Sequence, residues 1–460
     1  MKTDMTKGNI TNHLAKFALP LILGNIFQLT YNAVDSIIVG RFVGDAAQAA
    51  IGTANPIMNI AVFFIVGICT GTSVLMSEYF GAQDYDKLRK EIGTAMSVGI
   101  IFTAVLSIIC MLLSRRFLIL INTPDEILDM STGYLQIVFG GLLFTFLYNI
   151  YAGTMRSIGD ARTPIYFVAF SALLNVFFDL LFVVYYKLGV HGAAIGTILS
   201  EMISAILCVV YVHIKMPMIS LKWKDLRIDK KLLKDTVNYS WSTGMQKITL
   251  NVGKVLIQAF VNDLGVASIA AFNAANRVDD FVFQPQQSIA SSMTTFVAQN
   301  RGAKKPERIR KSFLTGMLME TAYWIIIGTI VWIFSEGIMY LFVGDTTTEV
   351  ARLGIIYLRT MAFFYILPGM TNGLQGYMRG WGKMNICLAS TFVQIVGRIA
   401  AAAILIPRFQ VAGISYSCLV GWLCMLSFEI PFYLRLKKTE HQILGTKGKE
   451  AQGDNEQTVI

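Results

Sequence analysis

The sequence predicts an all-α polytopic membrane protein with twelve transmembrane helices, built as two six-helix lobes related by pseudo-two-fold symmetry along the membrane normal. Of the 460 residues, 54% are hydrophobic and only 15% are charged, whereas about 25% of a soluble protein is charged. Long segments such as 46–77 and 92–114 contain no Asp, Glu, Lys or Arg. The second half of the chain also repeats the first. These three observations together favour a membrane protein over a soluble one.

Charged or Gly/Pro-rich loops separate the predicted helices, and each helix is long enough for the roughly 20 residues that cross a hydrocarbon core. In the first half the helices lie near 14–39, 50–77, 92–114, 131–155, 163–186 and 192–214. In the second half they lie near 236–261, 271–298, 312–334, 353–378, 385–406 and 411–434. The first helix begins too polar for a signal peptide, so we expect it to remain in the mature protein.

The net charge of +10 follows the positive-inside pattern, which argues against a nucleic-acid partner. If the amino terminus is cytoplasmic and the loops alternate, most of the 39 Lys and Arg residues fall on the cytoplasmic side and six fall in the opposite loops. The loops at 215–235 and 301–311 are the most basic. We therefore predict a multi-pass protein with both termini in the cytoplasm, whose basic loops contact anionic lipid.

An internal duplication relates the two halves at an offset of 221 to 223 residues. GDAAQAAIGTAN at 44–55 matches GVASIAAFNAAN at 265–276 in six of twelve positions, and 134–160 matches 357–383. Because each copy holds an even number of spans, both copies cross the membrane in the same direction. The predicted domains are an amino-terminal lobe at 1–214, a cytoplasmic linker at 215–235, a carboxy-terminal lobe at 236–436 and a polar, disordered tail at 437–460.

The first lobe contains polar side chains that are costly inside a membrane. Asp179 lies within a long apolar run that has no other charge, and an ionised carboxylate at the midplane costs roughly 2.5 kcal/mol or more. Asn175 lies one helical turn earlier, and Asp35 is placed similarly in the first span. Asn149 and Thr197 add polar groups to the fourth and sixth spans. Such a cluster can hold a proton or Na⁺; alternatively, the amides bridge helices and the acids face a water-filled vestibule.

The second lobe has a different polar lining. The repeat places Arg398 opposite Asn175, and Ala402 opposite Asp179. The cations of this lobe either form ion pairs and snorkel or line a cavity that meets anionic or zwitterionic substrate groups. Arg277, Asp279 and Asp280, at the start of the eighth span, are able to pair locally. The predicted substrate-cavity residues of the whole chain are Gln28, Tyr31, Lys254, Gln394 and Arg398.

A proline interrupts the first span. Pro20 removes one backbone hydrogen bond and permits a kink in the helix that also carries Asp35. This helix could bend or straighten with protonation, although many prolines in membrane helices make static kinks.

Five segments carry a family resemblance: FALPLILGNIFQLTYNAVDSIIVGRFVG (17–44), GTSVLMSEYFGAQD (71–84), AGTMRSIGDARTP (152–164), LLNVFFD (173–179) and HGAAIGT (191–197). In these segments, and from roughly residue 10 to 436 in both lobes, the chain resembles the multidrug and toxic compound extrusion (MATE) family. The resemblance implies secondary active efflux driven by inward H⁺ or Na⁺, with two lobes that rock between inward-open and outward-open states.

The resemblance also implies roles for individual residues. The cation-coupling residues would be Asp35, Asp179, Asn175, Asn149 and Thr197. Pro20 would be the residue at which the first helix bends. One branch of the family has further acids in helices seven and ten, where this chain has Lys247, Lys254 and Arg359 instead. The chain therefore resembles the branch named for a DNA-damage-inducible protein, which couples through the first lobe.

The predicted function is export of amphipathic organic compounds in exchange for H⁺ or Na⁺. The alternative is a lipid-linked oligosaccharide flippase of the same superfamily. An intramembrane enzyme such as a prenyltransferase would need two Asp-rich motifs, and the sequence has only one Asp-Asp pair in a span. We therefore predict no enzyme activity, no cofactor and no metal other than a possible Na⁺ at Asp35 and Asp179. We expect a monomer in the bacterial cytoplasmic (inner) membrane, with the bilayer, drug-like substrates and the coupling ion as partners.

Overall fold

The computed structural model describes residues 4–345 and 347–456, apart from the side chains at 31–33, at 36 and from 439 onward. The helices of the first repeat are α1 (Ile10–Phe42), α2 (Asp45–Gly81), α3 (Tyr85–Leu120), α4 (Asp125–Gly140), α5 (Leu142–Ser157), α6 (Thr163–Asp179) and α7 (Gly189–Lys215). Those of the second are α8 (Lys230–Asn262), α9 (Val266–Gly302), α10 (Pro306–Val343), α11 (Glu349–Phe364), α12 (Ile366–Gly380) and α13 (Met384–Glu456). Every regular element in the described part of the chain is helical, which confirms the all-α prediction.

Each of the twelve predicted spans corresponds to a helical segment of the structure. α4 with α5 forms the fourth span, and α11 with α12 forms the tenth. The backbone of α13 breaks at Gln410 (φ 51°, ψ −126°), so this element contains the last two spans. Its bounds reach Glu456, but the side chains of its last residues lie outside the described part, so the predicted disorder of the tail stays a prediction.

Nine of these spans are individually apolar enough to cross a bilayer. Seven helical segments of the described chain pass by length and hydropathy, and the two bent pairs bring the total to nine. The other three, α1, α8 and α9, are 33, 33 and 37 residues long, and α8 and α9 are more polar. They carry Asp35, Lys254 and Asp279 respectively.

The fourth span of each repeat is bent at an equivalent place. The bend between α4 and α5 is 43° at Gly141, and the bend between α11 and α12 is 45° at Tyr365. In the first repeat two consecutive glycines, Gly140 and Gly141, weaken the helix. In the second, Pro368 lacks the amide that would donate into the preceding turn. Different residues thus produce the same bend.

Packing divides the chain into two compact units. Unit one contains Leu19–Met76 and Asp84–Asn251. Unit two contains Asp4–Ala18, Ser77–Gln83 and the chain from Val252 onward. α1 therefore begins in unit two and continues in unit one. α8 begins in unit one and continues in unit two. The boundary between the two units within α8 lies between Asn251 and Val252.

Within unit one, the start of α8 packs closely against α2. A Cβ atom added at Gly67 would lie 2.6 Å from the Cα of Gly244, and one added at Gly71 would lie 2.4 Å from the carbonyl oxygen of Tyr239. Glycines four residues apart allow two helix backbones to approach this closely. Only glycine fits at these two positions, and their spacing holds α8 in unit one.

Within unit two, the residues before α1 are held by the end of α9 and the start of α10. The amide of Met5 donates to Gln299 Oε1 at 3.2 Å, and Asn300 Nδ2 donates to the carbonyl of Met5 at 3.2 Å. Arg308 donates to the carbonyls of Met5 and Gly8 at 2.9 and 2.8 Å. Charge-assisted donors to backbone carbonyls hold this segment in a defined position.

Candidate functional site

Two carboxyl groups from different helices meet in unit one. Asp179 is the last residue of α6 and is completely buried, while Asp35 lies two turns before the end of α1 and is partly buried. The groups are close enough for one to hydrogen-bond the other. No other side chain among the described residues donates to either oxygen of Asp179 or to Oδ1 of Asp35. Two carboxyl groups in such a site cannot both be charged unless a cation lies between them.

The helix changes its winding directly after Asp179. Residues Leu180–Tyr185 form a π-helical turn, and the amide of Tyr186 donates to the carbonyl of Leu181 at 2.9 Å. Such turns are rare and occur most often at functional sites. The carboxyl group thus lies at a discontinuity in the backbone of the fifth span.

The sixth span packs tightly against this carboxyl group. A Cβ atom at Gly196 on α7 would lie 2.7 Å from Asp179 Oδ1. On the neighbouring turn, Asn175 Nδ2 donates to Thr197 Oγ1 at 3.3 Å, and Thr197 donates to the carbonyl of Ala193 at 3.1 Å. Asn175 is buried, and its Oδ1 atom has no donor among the described residues. The amide oxygen and the two carboxyl groups therefore present several unused acceptors in one region.

Asn149 is engaged in a neighbouring part of this lobe. Its Nδ2 donates to the carbonyl of Thr145 within α5 at 2.8 Å. The hydroxyl of Thr145 donates to Glu201 Oε2 at 2.5 Å, and Glu201 lies one turn after Thr197 on α7. α7 thus carries two consecutive polar contacts, one to α6 and one to α5. Among the described residues, no hydrogen bond joins Asn149 to Asp35 or to Asp179.

Pro20, Gln28 and Tyr31 are the other predicted residues of the first span. Pro20 is buried within α1, which continues as one helix through it. α1 passes from unit two to unit one directly before it, at Leu19. Gln28 is exposed, and the side chain of Tyr31 lies outside the described residues. A bending role for Pro20 and a substrate role for Gln28 and Tyr31 stay predictions.

Unit two contains a cavity of about 240 Å³ between its helices. Lys254 and Arg398 both line it, together with aromatic side chains such as Phe272, Phe283 and Trp422. Gln394, the third residue predicted for this lobe, is not among the lining residues. Arg398 Nε is buried and has no acceptor among the described residues. The cavity thus combines an apolar wall with an unused cationic donor.

Asp279 and Asp280 have different partners, and neither is Arg277. This carboxylate accepts the hydroxyl of Tyr357 at 2.7 Å and that of Tyr365 at 2.6 Å, and it is buried. Asp280 instead pairs with Lys254 at 3.1 Å. Adjacent helical residues point about 100° apart, so Asp279 faces the interior and Asp280 the more exposed side.

Comparison with known proteins identifies the family. The sequence matches the profile described as MatE over residues 20–181 and 243–404, more than two thirds of its length. The chain belongs to the MatE family. The two matches begin 223 residues apart, at the offset of the internal duplication. A MatE protein is a membrane transporter and not an enzyme, as the sequence analysis predicted.

Relatives and solved structures agree with this assignment. The chain is 28% identical over 393 residues to the Probable multidrug resistance protein YpnP of Bacillus subtilis (strain 168), covering 83% of this chain and 85% of that protein. It is 23% identical to the Probable multidrug resistance protein NorM of Thermotoga maritima, covering 93% and 91%. A MATE crystal structure in the bent conformation shares the MatE fold with a TM-score of 0.89 at 18% identity, covering 96% of this chain and 98% of that one. An outward-facing multidrug resistance MATE family transporter gives 0.87 at 17% identity, covering 96% and 99%.

Proposed function

We propose that this protein is a secondary active multidrug efflux transporter that exports amphipathic organic compounds in exchange for H⁺ or Na⁺. The relatives named as multidrug resistance proteins support the substrate class. Their bacterial origin and the distribution of basic residues support the cytoplasmic membrane, with both termini inside. The observation that carries the coupling mechanism is the pair of facing carboxyl groups, Asp35 and Asp179.

The pair can act as a switch because its two charge states favour different helix positions. With a proton or Na⁺ bound, Asp35 and Asp179 attract each other and hold α1 against α6. Without a cation, two negative charges in a region of low dielectric repel each other. A ligand shifts a conformational equilibrium only by its difference in affinity for the two states. Entry of a cation from outside would thus favour the state that releases substrate outward, and its release inside would reset the lobe.

Transport in proteoliposomes tests this proposal. We expect Asp179→Asn and Asp35→Asn each to abolish efflux of a cationic dye driven by an imposed ΔpH or ΔNa⁺, while the purified variants remain monodisperse. Asp129→Asn is a suitable control because that side chain is 83% exposed and pairs with Arg115 on the surface. Full coupling in Asp179→Asn would exclude the mechanism.

Two further arms of the experiment define the ion and the alternative function. Comparison of ΔpH with ΔNa⁺ in the wild-type protein identifies the coupling cation. Cationic, zwitterionic and anionic substrates define the substrate class. Complementation of a strain that lacks a lipid-linked oligosaccharide flippase would support that alternative, and failure to complement together with dye efflux would support multidrug export.

A further inference from the structure

A second buried acid lies in unit two, away from the cavity. Glu320 is on α10 and is 2% exposed. Among the described residues, neither of its carboxyl oxygens receives a hydrogen bond, and no salt bridge includes it. Transfer of an unpaired carboxylate into such surroundings costs several kcal/mol, so a group of this kind normally becomes neutral.

The donors around Glu320 already serve backbone carbonyls. Tyr323 donates to Val282 at 3.1 Å, and Trp324 donates to Ala362 at 3.0 Å. Gln286 Nε2 donates to the carbonyl of Tyr365, at the α11–α12 bend, at 2.8 Å. None of these three donors is directed at the carboxyl group.

The contact of Gln286 with Tyr365 also fixes the orientation of its amide. A backbone carbonyl can only accept, so Nε2 must face it and Oε1 must point elsewhere. Gln286 Oε1 is buried and has no donor in the described chain. Gln286 and Glu320 converge on Gly369, since a Cβ atom there would lie 3.2 Å from Gln286 Nε2 and 3.3 Å from Glu320 Oε2. The Glu320 carboxyl group thus lies near the side-chain amide of Gln286 without receiving a hydrogen bond from it, and a proton on the carboxyl group would remove its unpaired charge.

The internal duplication shows that this polar site replaces an apolar contact. At the repeat offsets of 221 and 223, Glu320 corresponds to Gly99, and Gly369 corresponds to Phe146. In the first repeat a Cβ atom at Gly99 would lie 2.1 Å from the ring of Phe146, so the glycine is required by the aromatic side chain. Gln286 corresponds to Ile65, which is fully buried. The second repeat has Glu320 where the first has glycine, and Gly369 where the first has phenylalanine. It also has the amide of Gln286 where the first repeat has an isoleucine.

We propose that Glu320 is a second proton-binding site of this transporter, at which a proton neutralises the buried carboxyl group beside the side-chain amide of Gln286. The site is separate from the Asp35–Asp179 pair and does not depend on it. The titratable group that faces it is Tyr323, from its own helix. Tyr365 also donates to Asp279 on α9. No charged side chain of the described residues compensates a Glu320 carboxylate.

Infrared spectroscopy of the reconstituted protein tests the site without requiring transport. In an Asp35→Asn/Asp179→Asn background at neutral pH, we expect Glu320→Gln to remove intensity from the carbonyl stretch of protonated carboxylic acids. Glu78→Gln is the matched control, because Glu78 is ion-paired with Arg301 and should contribute nothing to that band. An unchanged band in Glu320→Gln would overturn the proposal. So would a band that vanishes when Na⁺ is added, since Na⁺ would then be the ligand.

A second variant keeps the test decisive if Glu320→Gln does not fold. Glu320→Asp retains the acid but alters its distance from Gln286, so the band should shift in frequency and not disappear. A band that neither shifts nor weakens would contradict the proposal. Gradient-driven transport by Asp179→Asn is measured separately from the infrared band. Failure of the efflux mechanism can therefore be distinguished from failure of the Glu320 site.

Discussion

Gly196 offers a way to move the Asp179 carboxyl group without removing it. In Gly196→Ala the new Cβ atom would lie 2.7 Å from Asp179 Oδ1, whereas ordinary van der Waals contact begins at 3.4 Å. The carboxyl group must therefore retreat by about 0.7 Å, the difference between these two distances. The next neighbours, Phe178 Cβ at 3.3 Å and the amide of Asp179 at 3.4 Å, are nearly at normal contact. The strain thus falls on the carboxyl group.

The expected change in stability is modest. Overpacking a buried site typically costs about 1–3 kcal/mol. Replacing glycine by alanine within a helix returns roughly 0.5–1 kcal/mol. Because the clashing atom is the end of a side chain that can rotate, we expect a net loss of roughly 0–2 kcal/mol in the free energy of unfolding. Coupling should suffer more, since a displacement of this size alters the contact between Asp179 and Asp35.

Gly52→Ala is the matched control, because a Cβ atom at Gly52 in α2 meets nothing within 4 Å. Both variants should be purified and compared by thermal unfolding and by ΔpH- or ΔNa⁺-driven efflux in proteoliposomes. We expect Gly52→Ala to transport like the wild type and Gly196→Ala to lose most gradient-driven efflux while it remains folded. Equal transport by the two variants would refute the inference that the position of Asp179 governs coupling.

Two other perturbations have defined outcomes. Tyr357→Phe removes one of the two hydroxyls that donate to buried Asp279, so the free energy of unfolding should fall by about 1.5–3 kcal/mol; unchanged thermal unfolding would contradict the assigned contact. Partial burial raises the pKa of Asp4, but hydrogen bonds from Thr6 and the charge of Lys7 outweigh it and hold the pKa below the usual 3.8. A lowered folded-state pKa contributes stability above the unfolded value and loses it as the pH falls through the folded one. Hydrogen-exchange protection of the segment before α1 should therefore drop in acid below pH 3.8, and Asp4→Asn should show no such step.

Periodicity and repetition were sufficient for the architecture. A duplicated pattern of long apolar segments determines the helix order, because in lipid each backbone amide must be paired within its own helix. Asp179 and Asn175 could be found because each is isolated among apolar residues and one turn from the other. Even the close packing at HGAAIGT is compatible with its small residues, although the contact of Gly196 with Asp179 could not be deduced from them.

The contacts of unit two were beyond such reasoning, because they depend on how helices rotate about their axes. Tyr134, the repeat equivalent of Tyr357, has its hydroxyl 3.8 Å from the sulfur of Met58, and Met58 corresponds to Asp279. The same contact therefore exists in both repeats, with a thioether in one and a carboxylate in the other. Comparing the two repeats for positions where an apolar residue becomes polar would have indicated both Asp279 and Glu320.

The segment before α1 has a consequence for biogenesis. Met5 is synthesised well before its partner Gln299, which follows 294 positions later. At translation rates of about 5–20 residues per second, the amino terminus must wait on the order of 15–60 s before its binding surface exists. The start of α8, in contrast, emerges after the α2 surface on which it packs. α8 can therefore pack on α2 as soon as it is synthesised, whereas the segment before α1 has no binding surface until the end of α9 and the start of α10 have been made.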